Sequence, residues 1–294
     1  MQSTERSLHH LEKIVVIAAL AAVCALTIGF AQARDKNVVH KSDEVYLRSS
    51  VALVQDATSG ETLIAKNLGA VLPIASITKL MTAMVILDSG VNLEQRVAIS
   101  DEDYDNLKGT RSRLRPGSVL TRDELLLLAL MSSENRAAFS LARTYPGGVN
   151  AFVAAMNAKA HALGMNDTKF LDPTGLSSAN VSTAHDLARM VRAAHGYPLI
   201  RKYSTQDSAT VQLFGRSLDF RNTNGLVRSA QWDIGLSKTG YISEAGRCLV
   251  MRVRMHSRDV VVVLLDSWGK LSRVGDANRI KKWLETHAPA GTRS

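Results

Sequence analysis

The sequence of 294 residues contains only two cysteines, Cys24 and Cys248. Cys24 lies in an apolar N-terminal run that we predict to be removed, so one thiol remains and an internal disulfide is excluded. The fold must then be stable through core packing alone. Cys248 lies in the apolar run CLVMRV. We therefore interpret it as a small buried hydrophobic residue and not as a nucleophile.

Several familiar catalytic and binding patterns are also missing. The chain has no H-E-x-x-H, which excludes a zincin, and no G-x-S-x-G nucleophile elbow. The acidic residues Asp101, Glu102, Asp103 and Asp105 lack the glycine and terminal glutamate of an EF-hand, so we interpret them as a solvated loop. No zinc-finger spacing or aromatic-basic RNA motif accompanies the formal charge of +9. We predict no metal, no cofactor and no nucleic-acid partner; a carboxylate-rich partner suits the charge.

One long apolar run is present, at residues 14–30, and the small-x-small sequence Ala31-Gln32-Ala33 follows it. This pattern predicts a signal peptide over residues 1–33, a linker over 34–47 and export to the periplasm. An uncleaved N-terminal anchor is the alternative. No later segment is long and apolar enough to span a bilayer, so we expect no stable membrane anchor after cleavage.

The remaining chain, residues 48–290, shows strand patterns at both ends and helical patterns in the middle. Strands are predicted in residues 48–100 and 210–290, which form an α/β part, and helices fill residues 101–209. Short turns join the later strands, which indicates antiparallel pairing. We predict an α/β (α+β) fold with a central antiparallel sheet, flanking helices and an inserted all-helical subdomain. Two of its helices are expected from about Ser76 to Asp88 and from Asp276 to Thr286.

Ser76-Ile77-Thr78-Lys79 is the first of three motifs that gain meaning as a set. Residues at i and i+3 of a helix share a face, with Cβ atoms roughly 5–6 Å apart, so the lysine amine can reach the serine oxygen. If burial or nearby cations lower its pKa, the neutral amine can accept the hydroxyl proton. Taken alone, the pattern fits a capping serine and a solvated lysine better.

The other two motifs are Ser133-Glu134-Asn135, between two predicted helices, and Lys238-Thr239-Gly240, at the start of a predicted strand. A serine hydroxyl there can relay a proton to a leaving amine, and an asparagine amide can bind a substrate carbonyl. Lysine and threonine offer donors to a substrate carboxylate, while glycine leaves room for a substrate along the strand. S-x-x-K, S-D-N and K-T-G together are the signature of penicillin-binding proteins and class A β-lactamases.

The longer segments PIASITKLMTAMV, MSSENRAA, DPTGLSSANVSTAHDLARM and SKTGYISEAGRCLVM extend this likeness. The chain resembles the low-molecular-mass penicillin-binding proteins, the serine D-Ala-D-Ala carboxypeptidase and endopeptidase family (peptidase S11), over residues 45 to 287. SSENRAA and EAGRCLVM most resemble its penicillin-binding protein 7 type, a D-alanyl-D-alanine endopeptidase. The resemblance implies a β-lactamase/transpeptidase-like fold, peptidoglycan stem peptides as substrate and β-lactams as covalent inhibitors.

The resemblance also implies a role for each motif residue. Ser76 is the acylated nucleophile, Lys79 is its general base and Ser133 assists proton transfer to the leaving amine. The residues implied in substrate binding are Asn135, Lys238, Thr239, Gly240 and Tyr241, and the backbone N–H groups of Ser76 and Tyr241 form the implied oxyanion hole.

Three alternatives remain open at this point. A β-lactamase needs a glutamate between the second and third motifs to activate the deacylating water, and residues 136–237 contain none. Carboxypeptidase relatives carry a further C-terminal domain and a basic residue before the last helix. Here the chain stops soon after its last predicted helix, which favours an endopeptidase. Gly275 falls at the place of the basic residue, with Arg273 nearby. A non-catalytic β-lactam sensor is the third alternative.

Overall fold

The computed structural model describes residues 45–256 and 258–287. The predicted signal peptide and the predicted linker as far as residue 44 lie outside the described residues. Within the two described ranges, no helix is both long enough and apolar enough to cross a membrane.

The strands come from both ends of the described chain and from short pairings between them. In chain order they are β1 (Ser49–Asp56), β2 (Thr62–Lys66), β3 (Leu72–Pro73), β4 (Arg96–Ala98), β5 (Val119–Thr121), β6 (Val181–Ser182), β7 (Ser208–Leu213), β8 (Arg216–Arg221), β9 (Asp233–Ile242), β10 (Gly246–Met255) and β11 (Arg258–Ser267).

Six α-helices of the described residues lie between β2 and β7, and one more closes the described region. They are α1 (Lys79–Asp88), α2 (Arg122–Met131), α3 (Asn135–Arg143), α4 (Gly148–Ala162), α5 (Ala184–His195), α6 (Pro198–Thr205) and α7 (Ser272–Thr286). Short 3₁₀ turns lie at Ala75–Thr78, Asp101–Asp103 and Gly225–Arg228.

The main sheet has five strands in the order β2-β1-β11-β10-β9. Every neighbouring pair in it is antiparallel, so the predicted antiparallel sheet is confirmed. Only three residues separate β9 from β10 and two separate β10 from β11, and such short connections permit only antiparallel pairing. β9, which carries the K-T-G motif, is the edge strand of this sheet and lies next to the 3₁₀ turn that carries Ser76.

Apolar side chains cover both faces of the sheet, which explains why β11 is an almost unbroken apolar run. Successive side chains of a strand point to opposite faces. On one face of β11, the core with α1, α2 and α5 includes Val261, Val263 and Leu265. On the other face, α7 packs against Val260, Val262 and Leu264. The sheet is thereby fixed between two helical layers, and β9 is held rigidly beside the helical part.

Three features of the helices differ from the sequence prediction. Ser76 does not lie in an α-helix, because the backbone is 3₁₀ over Ala75–Thr78 and α1 begins at Lys79. The last helix begins at Ser272, one turn before the predicted Asp276. α6 was not predicted; Pro198 occupies its first turn, where a missing N–H costs no hydrogen bond.

Candidate active site

Ser76 lies in a tight turn that neighbouring backbones hold in place. Ala75 before it has φ = 48°, a left-handed conformation that is unfavourable for a residue with a Cβ atom. Two glycines pack against this turn. A Cβ atom on Gly175 would be 1.9 Å from the Ala75 carbonyl oxygen, and one on Gly240 would be 2.8 Å from the Ile74 carbonyl oxygen. The absence of side chains at both positions therefore allows this strained turn to fit.

Lys79 is completely buried, and its amine contacts three oxygen atoms. Nζ lies 2.9 Å from Ser76 Oγ, 2.7 Å from Asn135 Oδ1 and 2.7 Å from the carbonyl oxygen of Thr174. None of the three partners is a carboxylate. The predicted reach of the lysine to the serine is therefore present, although through a 3₁₀ turn and not through an α-helix.

The charged form of Lys79 is disfavoured in this environment. Burial lowers the pKa of Lys79 to about 7, although the carboxylates of Asp172, Glu134 and Asp105 favour the charged form and oppose the shift. A sizeable fraction of the amine is then neutral near pH 7. This property allows the amine to accept a proton from a hydroxyl group.

Ser133 lies in the short connection between α2 and α3, with φ = 60°. This left-handed conformation turns its side chain towards β9, where its Oγ accepts a hydrogen bond from Lys238 Nζ at 2.9 Å. Asn135 is the first residue of α3 and places Oδ1 on Lys79. The second motif thus contacts both lysines, one through its serine and the other through its asparagine.

Lys238 is the second buried amine of the site. Its Nζ donates to Ser133 Oγ and to the carbonyl oxygen of Thr239, both at 2.9 Å. Burial lowers the pKa of Lys238, and the positive charges of Lys79 and Arg273 lower it further. Thr239 Oγ1 donates to Thr223 Oγ1 at 2.6 Å. The third motif therefore faces the first two, as the resemblance implied.

Gly240 and Tyr241 continue β9 past the nucleophile. A Cβ atom on Gly240 would be 3.1 Å from the backbone nitrogen of Ser76, so the two backbones approach closely. The Tyr241 side chain is largely exposed, and the guanidinium of Arg247 lies over its ring, 4.6 Å from the ring centroid. All eight residues singled out from the sequence lie in one region of the molecule.

A loop outside the three motifs, residues 172–177, contacts both Lys79 and the turn that carries Ser76. Asp172 accepts hydrogen bonds from the backbone N–H groups of Thr174, Gly175 and Ser177. This closes the loop so that the Thr174 carbonyl faces Lys79 and Gly175 packs against Ala75. The sequence indicates the segment DPTG only through the resemblance. The contact between Lys79 and the Thr174 carbonyl is made by a backbone atom, so no side-chain pattern predicts it.

The acidic loop after β4 is more buried than the sequence indicates. The solvated-loop interpretation is wrong for Asp103 and Asp105, which are 3% and 7% exposed. Asp103 forms an ion pair with Arg143 at 2.8 Å, and Asp105 accepts hydrogen bonds within its own loop. Among residues 45–256 and 258–287, no group of three or more His, Cys, Asp or Glu side chains is arranged to hold a metal ion.

Behind β9, Arg273 and Cys248 occupy the places next to the third motif. Arg273 donates to the carbonyl oxygens of Gly240 at 3.1 Å and Cys248 at 3.2 Å, whereas Gly275 lies beside Arg279. The basic residue next to the motif is therefore Arg273. Cys248 is fully buried, and burial raises the pKa of its thiol to about 11, which fits the inert residue predicted from the sequence.

Comparisons with known proteins agree with this arrangement. The family model described as D-alanyl-D-alanine carboxypeptidase, peptidase S11, matches residues 37–268. A D-alanyl-D-alanine endopeptidase of Pseudomonas aeruginosa is 52% identical over 242 residues, 82% of this chain and 78% of the relative. A D-alanyl-D-alanine endopeptidase of Escherichia coli K12 is 47% identical over the same shares. The crystal structure of the Streptomyces K15 DD-transpeptidase superposes with a TM-score of 0.77 at 27% identity, covering 83% of this chain and 99% of that one.

Proposed function

Because this chain belongs to the D-alanyl-D-alanine carboxypeptidase family, peptidase S11, we propose that it is a serine D-alanyl-D-alanine endopeptidase that hydrolyses peptidoglycan cross-links. The observation that carries the proposal is the buried amine of Lys79, 2.9 Å from Ser76 Oγ and without a hydrogen bond to any carboxylate. Relatives that are 47–52% identical and are named endopeptidases favour cleavage of cross-links over trimming of stem-peptide ends.

The partners of Lys79 suggest how the proton moves. A neutral amine has two N–H groups and one lone pair. Asn135 Oδ1 and the Thr174 carbonyl are acceptors only, so they take the two N–H groups and leave the lone pair for the Ser76 hydroxyl. Ser76 Oγ attacks the D-alanyl carbonyl carbon while its proton passes to Lys79 Nζ. Lys79 thus serves as the general base.

The tetrahedral intermediate carries a negative charge on the former carbonyl oxygen. The backbone N–H groups of Ser76 and Tyr241 lie on the two backbones that approach at Gly240, and in this proposal they stabilise that charge. Losing one such donor typically costs about 3 kcal/mol of transition-state stabilisation. The C–N bond then breaks. Ser133 Oγ donates its proton to the leaving amine and takes up the proton that Lys79 Nζ accepted from Ser76, so Lys79 is neutral again.

The acyl-enzyme on Ser76 is hydrolysed in a second half-reaction. A water molecule attacks the ester carbonyl carbon, its proton passes to neutral Lys79, and Ser76 Oγ leaves with a proton. During binding, Lys238 and Thr239 hold the substrate's carboxylate or backbone, Asn135 orients the acyl part and Gly240 leaves space along β9. Lys238 offers a positive charge for this carboxylate when it is protonated.

The same site is proposed to be acylated by β-lactams and to release them slowly. Residues 136–237 contain no glutamate, and the carboxylate of Asp172 is engaged by the N–H groups of its own loop. The interval therefore lacks the glutamate that activates water in class A β-lactamases, and Asp172 does not replace it. This argues for inhibition over β-lactamase activity.

We further propose that residues 1–33 are removed on export and that the enzyme acts in the periplasm, where its polymeric substrate lies. The apolar run at 14–30 and the sequence Ala31-Gln32-Ala33 support this proposal. Mass spectrometry of the mature N-terminus tests it: the first residue is expected to be Arg34.

Digestion of purified cross-linked muropeptides tests the activity. The wild-type protein is expected to convert dimers to monomers and to be blocked by penicillin. Ser76→Ala should abolish both monomer release and covalent penicillin labelling, whereas Ser217→Ala, on the exposed strand β8, should retain both. Removal of only a terminal D-alanine, with the dimer left intact, would indicate a carboxypeptidase instead. Cleavage or labelling by Ser76→Ala would contradict the mechanism.

A further inference from the structure

Asp105 and its loop lie outside the three motifs, yet the loop is built around a buried carboxylate. Asp105 Oδ1 accepts from the backbone N–H groups of Leu107 and Lys108, both at 2.9 Å. Its Oδ2 accepts from the backbone N–H of Thr110 at 2.8 Å and from Thr110 Oγ1 at 2.6 Å. Asp105 is 7% exposed. This carboxylate thus fixes both the backbone and the hydroxyl group of Thr110.

The Thr110 hydroxyl links this carboxylate to the active site. A carboxylate only accepts hydrogen bonds, so Thr110 must donate its proton to Asp105 and present a lone pair elsewhere. That lone pair receives a hydrogen bond from Asn135 Nδ2 at 2.9 Å. The other end of the same amide, Oδ1, accepts from Lys79 Nζ at 2.7 Å. A continuous chain of hydrogen bonds therefore runs from Asp105 through Thr110 and Asn135 to Lys79.

The Asp105 carboxylate determines which group donates in every hydrogen bond of this series. If the Asn135 amide turned over, its N–H₂ group would face the N–H groups of Lys79, and its oxygen would face a hydroxyl already committed to Asp105. Only one orientation of the amide satisfies all the partners. That orientation keeps an acceptor beside the amine and leaves the lone pair of the neutral amine for Ser76.

We propose that Asp105 and Thr110 are positioning residues for acylation: they fix the Asn135 amide so that Lys79 directs its lone pair at Ser76. This inference rests on the proposed function, because it concerns the same proton transfer. The two residues act in different ways. Thr110 only orients the Asn135 amide, whereas Asp105 also adds a negative charge near Lys79.

The charge effect has a definite sign. Lys79 is surrounded by Asp105, Glu134 and Asp172 from three loops and by Lys238 from β9. The three carboxylates favour its charged form, with Asp105 the smallest contributor of the three. Although burial opposes ionisation, hydrogen bonds from Thr110, Lys108 and Leu107 lower the pKa of Asp105, so it is ionised at neutral pH. Removing its charge must lower the pKa of Lys79 further.

The test measures the rate of acylation by a fluorescent penicillin as a function of pH, for the wild type and three variants. Thr110→Val removes the hydroxyl with little change of shape, and loss of one such hydrogen bond predicts about tenfold slower acylation with an unchanged pH midpoint. Thr110→Ser keeps the hydroxyl and should stay within about twofold of the wild type. Asp105→Asn should slow acylation and move the midpoint to lower pH.

Two controls separate the loss of orientation from a general effect of substitution or a loss of folding. Thr62→Val, on the edge strand β2 far from the site, should change neither rate nor midpoint, and thermal melting should show that all variants are folded. Equal rates for Thr110→Val and the wild type, or equal losses for Thr110→Val and Thr110→Ser, would overturn the proposal. An unshifted midpoint in a folded Asp105→Asn variant would overturn its charge effect. Failure of the wild type to cleave muropeptides, with these acylation results intact, would count against the proposed substrate alone.

Discussion

Two regions of the molecule bury charged side chains, and they treat them in opposite ways. On one side of the sheet, the carboxylate of Asp276 is fully buried and accepts hydrogen bonds from the backbone N–H groups of Arg48 at 2.9 Å and Ser49 at 2.7 Å. It also pairs with Arg279 and the Ser49 hydroxyl. On the other side, Lys79 and Lys238 are equally buried, yet they donate to hydroxyl, amide and carbonyl oxygens.

This contrast separates burial that serves stability from burial that serves chemistry. Although burial opposes it, hydrogen bonds from Ser49 and Arg48 and the contact with Arg279 lower the pKa of Asp276, so its charge is stabilised in the fold. The amine of Lys79 is destabilised in its charged form, and its pKa is lowered to about 7. The buried carboxylate with several direct hydrogen-bond donors keeps its charge, whereas the buried amine that contacts only neutral oxygen atoms is ready to exchange a proton.

Replacing Lys79 should give the largest effect on catalysis. Lys79→Met removes the general base, and acylation by penicillin is expected to slow by about 10²–10⁴-fold, the usual contribution of general-base catalysis. Stopped-flow or gel-based labelling measures this rate. Lys202→Met, on α6, is the matched control and should label at the wild-type rate. A Lys79→Met variant that labels at the wild-type rate would show that the buried Lys79 amine does not serve catalysis.

Replacing Asp276 should instead reduce stability and spare the chemistry. Asp276→Ala leaves several buried donors without an acceptor, so we expect the free energy of unfolding to fall by about 3 kcal/mol. Denaturant titration measures the loss, and the labelling rate per folded molecule should be unchanged. A variant with normal stability but slow labelling would show that the two regions are not separate in function.

The stabilising effect of Asp276 should also depend on pH. A carboxylate whose pKa is lowered in the fold contributes stability above its unfolded value, about 3.9, and this contribution is lost as the pH falls through the folded pKa. The lowered pKa of Lys79 gives a slope of the same sign in a higher pH window, because here it is the charged form that the fold disfavours. The cost of burying its charge is greatest below about pH 7 and disappears as the pH rises towards 10.5, the ordinary pKa of a lysine. The free energy of unfolding should therefore be measured from acid to alkaline pH. Its acid slope should be lost in Asp276→Asn, and its slope between about pH 7 and 10.5 should be lost in Lys79→Met.

A smaller effect on acylation is expected at Gly240, which contributes only space between β9 and the nucleophile turn. Gly240→Ala would place a Cβ atom 2.8 Å from the Ile74 carbonyl and 3.1 Å from the Ser76 nitrogen, so the backbone of the nucleophile turn must move. We expect acylation to slow about tenfold, since displacements of about 1 Å or less matter in such sites. Gly69→Ala, with no atom within 4 Å of its added Cβ atom, is the control and should have no effect.

The sheet and the helical middle could be predicted from the sequence, because strand alternation and helix spacing are local patterns. The meeting of the three motifs was implied by the resemblance to the penicillin-binding proteins. The contact of Lys79 with the Thr174 carbonyl could not be predicted, since it joins residues separated by 95 positions through a backbone atom. The burial of Asp105 was missed for a related reason. A carboxylate that satisfies the N–H groups of its own loop has the same local sequence pattern as a solvated one.

The proposed catalysis depends on Lys79 losing its proton near neutral pH because burial disfavours its charge. The rate of Ser76 acylation by penicillin, measured against pH in the wild-type protein, examines this property without any substitution. We expect the rate to rise with pH around a midpoint near 7, the pKa of Lys79. A rate that stays low until about pH 10, where an ordinary lysine loses its proton, would show that the buried amine is not the base.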